Sequence, residues 1–201
     1  MRCLISSCYA GNVDYLSCLK KAENIVVDQG EFFHKQTFKN RCEIYGANGK
    51  LSLIVPIQRK PGKNPIRDIK IDYSQRWQKI HWKSLESSYR SSPYFEYYEH
   101  HFAPFYLKEK PVFLIDFNRQ ILEGFFKILD IDVPIDYSLS YIDKKEDDVD
   151  IRNLIHPKKQ PTAFFKGTRY YQVFEDKFGF IPNLSVYDLI FNEGPAYLQS
   201  I

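Results

Sequence analysis

The 201-residue chain has almost no charge imbalance: 28 Lys and Arg stand against 25 Asp and Glu, a formal net charge of +3. A field that weak excludes the strongly basic footprint of a nucleic-acid binder or of a protein drawn to anionic membranes. No apolar run reaches the 18 residues or so that a membrane-spanning helix needs, and the opening MRCLISSCYAGNVDYL is too short in apolar character for a signal peptide. A cytoplasmic, soluble protein is therefore expected. The four cysteines, Cys3, Cys8, Cys18 and Cys42, include no CxxC pair; they fall in core-like stretches and read as free buried thiols. No GxxxxGK[ST], GxSxG or zinc-type spacing occurs, which removes the motif-defined P-loop and nucleophile-elbow classes. There is no internal repeat. No cofactor is expected.

What is abundant is aromatic. Phe, Trp and Tyr make up 16% of the chain, with 15 Tyr and 16 Phe, a composition suited to a ring-rich core or a concave site and opposed to disorder. The length fits one domain over residues 1–201 with a sizeable core.

The clearest local pattern runs from Lys35 to Ile57, KQTFKNRCEIYGANGKLSLIVPI. Leu51, Leu53, Val55 and Ile57 alternate as a half-buried strand requires, and Gly46-Ala47-Asn48-Gly49 supplies residues that tolerate a tight reversal. This is a β-hairpin, with Pro56 at or near the end of its second strand. Arg41 stands at the start of the first strand, near Lys35, Lys39 and Asn40. Its planar fork of five donors suits a carboxylate or phosphate, either an internal acid or a bound anion.

Upstream, a strand over Cys3–Cys8, a helix capped by Asn12 with Tyr15, Leu16, Leu19 and Ala22 inward, and a strand over Ile25–Val27 make a β-α-β opening, with Asn24 as a left-handed stop for the helix. Ligands of such units gather at the carboxyl ends of the strands, here Ser7–Gly11 and Asp28–His34. The fold class is α/β, one domain with a mixed sheet in which the β-α-β unit and the hairpin are packed by aromatic-rich helices.

The loop RKPGKNP, Arg59–Pro65, is either a solvated connection or an anion-binding flap. Ile66, Ile69 and Ile71 read as a further short strand. Residues 76–90 form an amphipathic helix with Trp77, Ile80, His81, Leu85 and Tyr89 on one arc and Glu86 and Arg90 paired opposite. His81 therefore faces inward, either as a satisfied core residue or as the base of a reaction, because its ordinary pKa lies near neutrality. Within PYFEYYEHHFAPFY, Glu96 and His100 could share a helix face, but the adjacent His100 and His101 point apart and no second acid or histidine matches, so no metal site is expected. Residues 112–129 make a broadly apolar structural helix, and residues 137–142 an extended segment. Residues 143–161 are charge-dense, and with Arg152 and His156 four apart they read as a solvated loop or as a lid. Ser185 and Asp188 have capping-box spacing ahead of a short helix over 186–192.

Several runs together, KQTFKNRCEIYGANGKLSLIVPI, RWQKIHWKSLESSYRSSPYFEYYE, RNLIHPKK and YYQVFEDKFGFIPNLSVYDLIFNEGP, resemble the WbqC-like protein family of bacteria in order and spacing, with the flavour of its short Bacteroidetes-type members. The family pattern is met at Tyr9, Asn40, Arg41, Pro56, Trp77, His81, Tyr89, Pro93, Tyr94 and Phe95. The chain departs from it at Tyr9-Ala10-Gly11, where relatives commonly carry proline after the aromatic residue. Cys8 is not part of the pattern.

The resemblance implies handling of a sugar, amino-sugar or carrier-linked precursor in surface-polysaccharide (O-antigen type) or natural-product biosynthesis. One expectation is a transferase-like enzyme. Arg41 would hold an anion and His81 would move a proton, with Tyr9, Lys35, Asn40, Trp77, Tyr89, Tyr94, Arg152 and His156 around the substrate. The other is a non-catalytic binding or scaffold protein of the same pathway. The β-α-β opening is also similar to HxGH-class nucleotidyltransferases, but the loop after the first strand has no histidine, which removes that chemistry. The oligomeric state is left open.

Overall fold

The computed structural model describes residues 1–200. Strand β1 (Arg2–Ile5) leads through helix α1 (Val13–Leu19) to β2 (Asn24–Asp28), which lies parallel to β1 with Cys3 opposite Ile25 and Ile5 opposite Val27. Two late segments complete the sheet: β5 (Ile135–Ser138) pairs parallel with β2, and β6 (Val149–Asp150) pairs parallel with β1, giving the order β5-β2-β1-β6. The hairpin of β3 (Arg41–Gly46) and β4 (Gly49–Ile54) does not extend this sheet; it forms an antiparallel sheet of its own. Parallel and antiparallel pairing are thus divided between two sheets. The positive φ of the hairpin turn falls on Gly49 at 95°, where a side chain would be strained.

The helices follow the aromatic sequence. They are α2 (Trp77–Tyr89), α3 (Phe95–Leu107), α4 (Leu114–Leu129), the single turn α5 (Glu175–Phe178) and α6 (Val186–Glu193). Expected and observed spans of α2 agree closely; α4 begins two residues later than the apolar run. The stretch PYFEYYEHHFAPFY is helical almost throughout, with Pro104 inside α3. Two expectations differ locally. Residues 66–68 form a 3₁₀ turn, with only isolated bridges at Ile71 and Lys70. Asn24 begins β2 rather than ending α1 in a left-handed turn. Its place in the register with Arg2 outweighs its tolerance of positive φ.

Asn12 caps α1 as expected, its side-chain oxygen accepting from the Tyr15 amide at 3.0 Å. Every residue of α1 is buried, so the helix has no solvent face. Its start bridges to Ser185 ahead of α6, with the Val13 amide donating to Leu184 at 2.9 Å. On another side Asp14 accepts from the Thr162 amide at 2.9 Å and from its hydroxyl at 2.5 Å. Ser185 caps α6 through the Tyr187 amide, but Asp188 does not return the bond of a capping box. Its carboxylate turns inward to accept from Tyr89, Tyr170 and Gln172.

Two apolar clusters result. One joins the helices to the hairpin around Phe102, Phe117, Phe125, Tyr187 and Phe191; the other lies against the parallel sheet and contains Cys3, Cys8 and Cys18. All four cysteines are free and buried. Among the described residues no helix is long and apolar enough to cross a membrane.

Gly30 lets two chain segments meet just beyond β2. A Cβ there would lie 1.9 Å from the Tyr141 amide nitrogen and 2.3 Å from the Ser140 carbonyl carbon, backbone atoms that cannot swing aside. Gly30→Ala should therefore destabilise the protein by about 1–3 kcal/mol, the usual range for overpacking, measured as a fall in the urea midpoint at constant slope.

Candidate functional site

In the parallel sheet β1 connects towards β2 on one side, while β6 lies on its other side. The carboxyl ends of β1 and β6 therefore diverge into opposite connections, and such a switch point leaves a crevice. A cavity of about 190 Å³ occupies this place, lined from the β1 end by Ser6 and Cys8, from the segment after β2 by His34, Thr37, Phe38 and Lys39, and from the segment after β6 by Arg152, Asn153, Ile155 and His156.

Its floor is ionic. Asp28, fully buried at the end of β2, accepts through Oδ1 from the amides of Gly30 at 2.8 Å and Glu31 at 3.0 Å. Its Oδ2 accepts from the Ile142 amide at 3.2 Å and from the Arg152 guanidinium. Arg152 also donates to both oxygens of Asp150, at 2.9 and 2.5 Å, and to the Ile142 carbonyl at 2.8 Å, while the Tyr141 ring lies 4.8 Å from its guanidinium carbon. These partners raise the Arg152 pKa above its ordinary value, Asp150 contributing most. Beside this pair Lys39 sits 3.1 Å from Glu31, and both side chains are buried. Burial raises the Glu31 pKa, against the pull of the Lys39 ammonium, and Glu31 Oε1 is left with no hydrogen-bond partner.

The reactive groups differ in readiness. Burial pushes the Cys8 thiol up to about 12, so it is protonated at neutral pH and is no nucleophile. The His156 pKa is lowered, first by burial and then by Lys159, Lys158 and Lys39. Its Nδ1 accepts from the Lys158 amide at 3.1 Å, which leaves the ring proton on Nε2 as a donor. His34 is exposed at the mouth of the crevice.

The remaining residues expected from the sequence are distributed elsewhere. Tyr9, Trp77 and His81 do meet, but in the core. The Tyr9 hydroxyl is 2.9 Å from His81 Nδ1 and 2.9 Å from the Tyr106 hydroxyl, which lies 3.0 Å from that of Tyr187. The Trp77 ring stands edge-on to His81 with centroids 5.0 Å apart. Burial lowers the His81 pKa to about 4, and a hydrogen bond to the Ile54 backbone opposes the shift only in part. At neutral pH His81 is a neutral imidazole whose Nδ1 accepts from Tyr9.

Tyr89 donates to Asp188 Oδ1 at 2.8 Å and accepts from the Tyr45 amide at 3.2 Å. Burial raises the Asp188 pKa to about 6. Asn40 closes the hairpin base through the Val55 carbonyl at 2.9 Å. Tyr94 is exposed ahead of α3 and its ring packs on Gly194. Arg41 is half-buried; its Nε has no hydrogen-bond partner and, among the described residues, it has no ion pair. Lys35 lines a separate cavity. Among the described residues no group of three or more His, Cys, Asp or Glu is placed to hold a metal ion.

Residues 7–160 match the model of the WbqC-like protein family. The chain belongs to the WbqC-like protein family. The matched span includes the segment that follows β1, the hairpin, α2 to α4 and the crevice wall apart from Ser6. A similar relative is "Uncharacterized protein Rv1507c" of Mycobacterium tuberculosis, 26% identical, with 98% of this chain and 96% of that protein covered. No solved structure matches. Of the crevice residues of this WbqC-like chain, Arg152 and His156 were expected as site residues from the sequence, whereas Ser6, Thr37, Phe38, Lys39, Asn153 and Ile155 were not. The carboxyl-end rule had marked the segments from Ser7 and up to His34, but nothing in the sequence joined Lys39 to Arg152.

Arg152→Met should cost about 3–5 kcal/mol of stability, because it strands the Asp28 carboxylate in the interior; guanidinium denaturation at pH 7 measures it. His81 binds its proton more weakly in the folded chain, about 4 against 6.5, so its contribution is intact above pH 6.5 and is lost as pH falls towards 4, by about 3 kcal/mol over the window. Asp188, with its folded pKa raised from 3.8 to about 6, acts in the opposite sense between those values. The difference between wild type and His81→Gln isolates the histidine: the gap in unfolding free energy should narrow steadily from pH 7 to pH 4.5.

Proposed function

We propose that this protein is a transferase-like enzyme of bacterial surface-polysaccharide (O-antigen type) or natural-product biosynthesis, acting in the cytoplasm on a sugar or carrier-linked precursor. The observation that carries the reading is the switch-point crevice, where His34 and Lys39 from the segment after β2 and His156 from the segment after β6 converge over a buried ionic floor. The pathway class is what resemblance to the WbqC-like family implies, and membership of that family supports the reading. At about 190 Å³ the crevice is smaller than the usual cavity for a whole ligand, so it receives the reacting end of the substrate while the rest lies outside.

The roles follow from readiness. His34, at the mouth and without a ring hydrogen bond among the described residues, takes the proton from the incoming hydroxyl or amine as that atom bonds to the electrophilic centre. The leaving group departs with the electron pair, and the Lys39 ammonium and the His156 Nε2–H meet its negative charge. Arg152, held by Asp28 and Asp150, shapes the floor. Residues 143–161 contribute the wall from Arg152 to His156. His81 and Tyr9 are assigned to the core because both are buried away from this opening.

A non-catalytic binding protein of the same pathway is the second reading, favoured by exposed Tyr94, Tyr97 and Leu107 on and before α3. A thermal-shift screen against nucleotide-sugars, amino-sugars and acyl-thioester carriers, with products followed by mass spectrometry, separates the two. A ligand at 100 times its Kd should stabilise the fold by about 2.7 kcal/mol. His34→Ala should keep that shift and lower turnover by roughly 10²–10⁴-fold. Turnover unchanged in His34→Ala would sink the catalytic assignment, and stabilisation without any product would favour the binding reading.

A further inference from the structure

A second cavity, of about 580 Å³, lies on the other side of residues 33–35. His34 faces the crevice while Phe33 and Lys35 face this second space, so the alternation of an extended segment makes one wall serve both. The opposite wall is the basic loop: Ile57, Gln58, Arg59, Lys60, Pro61, Gly62 and Asn64, with Ile69 at the base. Its volume falls within the range of cavities that take whole small ligands.

Three features give this cavity a chemistry. Its charged lining is of one sign, Lys35, Arg59 and Lys60, with no acidic residue among the lining side chains. None of the three has an ion pair among the described residues, in contrast to Lys39 and Arg152, each of which is paired with a carboxylate in the crevice. The loop carrying two of them is held in shape from within. The Asn64 side-chain amide donates to the carbonyls of Lys60, Pro61 and Gly62 at 3.4, 3.1 and 3.1 Å, and the Phe33 amide donates to the Asn64 carbonyl at 2.9 Å. The loop is thereby tied to the wall across the cavity. Finally, Phe33, Ile57 and Ile69 provide apolar surface beside the cations, where a ligand's ring or chain would displace water.

From this juxtaposition we infer that the cavity binds an organic phosphate, its phosphate held by Lys35, Arg59 and Lys60 and its apolar part lying on Phe33, Ile57 and Ile69. A concave surface of one charge sign concentrates anions, and a guanidinium flanked by ammonium groups matches a phosphate in both charge and donor geometry. The apolar floor separates this site from simple ion binding, since a bare phosphate gains nothing from it. The inference stands whether or not chemistry occurs in the crevice.

The test is isothermal titration of the full chain with 1-naphthyl phosphate and, separately, inorganic phosphate. Wild type should bind naphthyl phosphate at least tenfold more tightly than phosphate. The Arg59→Ala/Lys60→Ala variant, which leaves the backbone carbonyls bonded by Asn64 in place, should lose at least tenfold. His34→Ala, altered on the crevice side of the same wall, should bind both ligands as wild type does. Equal affinity for the two ligands would overturn the organic-phosphate assignment. Unchanged binding in the folded double variant would overturn the site, as would no binding by wild type. Loss of binding in His34→Ala alone would move the ligand to the crevice and likewise overturn it.

Discussion

The contact on which the rest depends is the buried ion pair between Asp28 and Arg152. It joins the end of β2 to the segment after β6, two strands that are not neighbours in the sheet. A charge placed so deep is costly unless its remaining hydrogen-bonding capacity is filled. Here it is filled: the carboxylate accepts two turn amides and the Ile142 amide, and the guanidinium reaches Asp150 and the Ile142 carbonyl. The turn after β2, the 140–142 segment and the last strand are therefore fixed with respect to each other. The cavity at the switch point inherits its shape from that arrangement, and Lys39 completes it from the hairpin side.

The aromatic wealth of the chain is spent mostly on the interior. Phe117 stacks or stands edge-on against Tyr9, Trp77 and Tyr106, while Phe102, Phe125, Tyr187 and Phe191 make a second group of tilted, edge-on and stacked rings. Tyrosine in such a core needs partners for its hydroxyl. The chain supplies them as relays, Tyr187 to Tyr106 to Tyr9 to His81, and Tyr89 and Tyr170 onto Asp188. The neutrality of His81 and the raised pKa of Asp188 are consequences of the same dry packing. A histidine on an apolar helix face and an acid at capping-box spacing both turn out to serve hydroxyls.

Much of the framework was legible in the sequence because it is set by local rules. Alternating apolar residues and Gly49 define the hairpin, Asn12 and Ser185 mark helix starts, and the 3.6-residue period outlines α2 and α4. What was not legible is what depends on distant pairing. Nothing local says that the hairpin stands apart from the parallel sheet, or that Ile66–Asp68 curls into a 3₁₀ turn. For the site, the carboxyl ends of β1 and β2 could be named in advance, and so could Arg152 and His156 as a pair. Their meeting with Lys39 and His34 depends on a parallel contact between β1 and β6, next to which the Arg2 and Asp148 side chains pair across 146 positions of sequence.

The absence of a solvent face on α1 bears on how the chain assembles. Seven residues are too few to hold a helix in water, and the neighbours that enclose this one arrive late: Thr162 lies 148 positions beyond Asp14, and Leu184 and Ser185 lie further still. This helix must therefore wait for a segment 148 positions downstream before it is stable. Such long loop closures slow folding. They also couple the N-terminal unit to the C-terminal helix, so that the amides of α1 should exchange with solvent only when the whole structure opens.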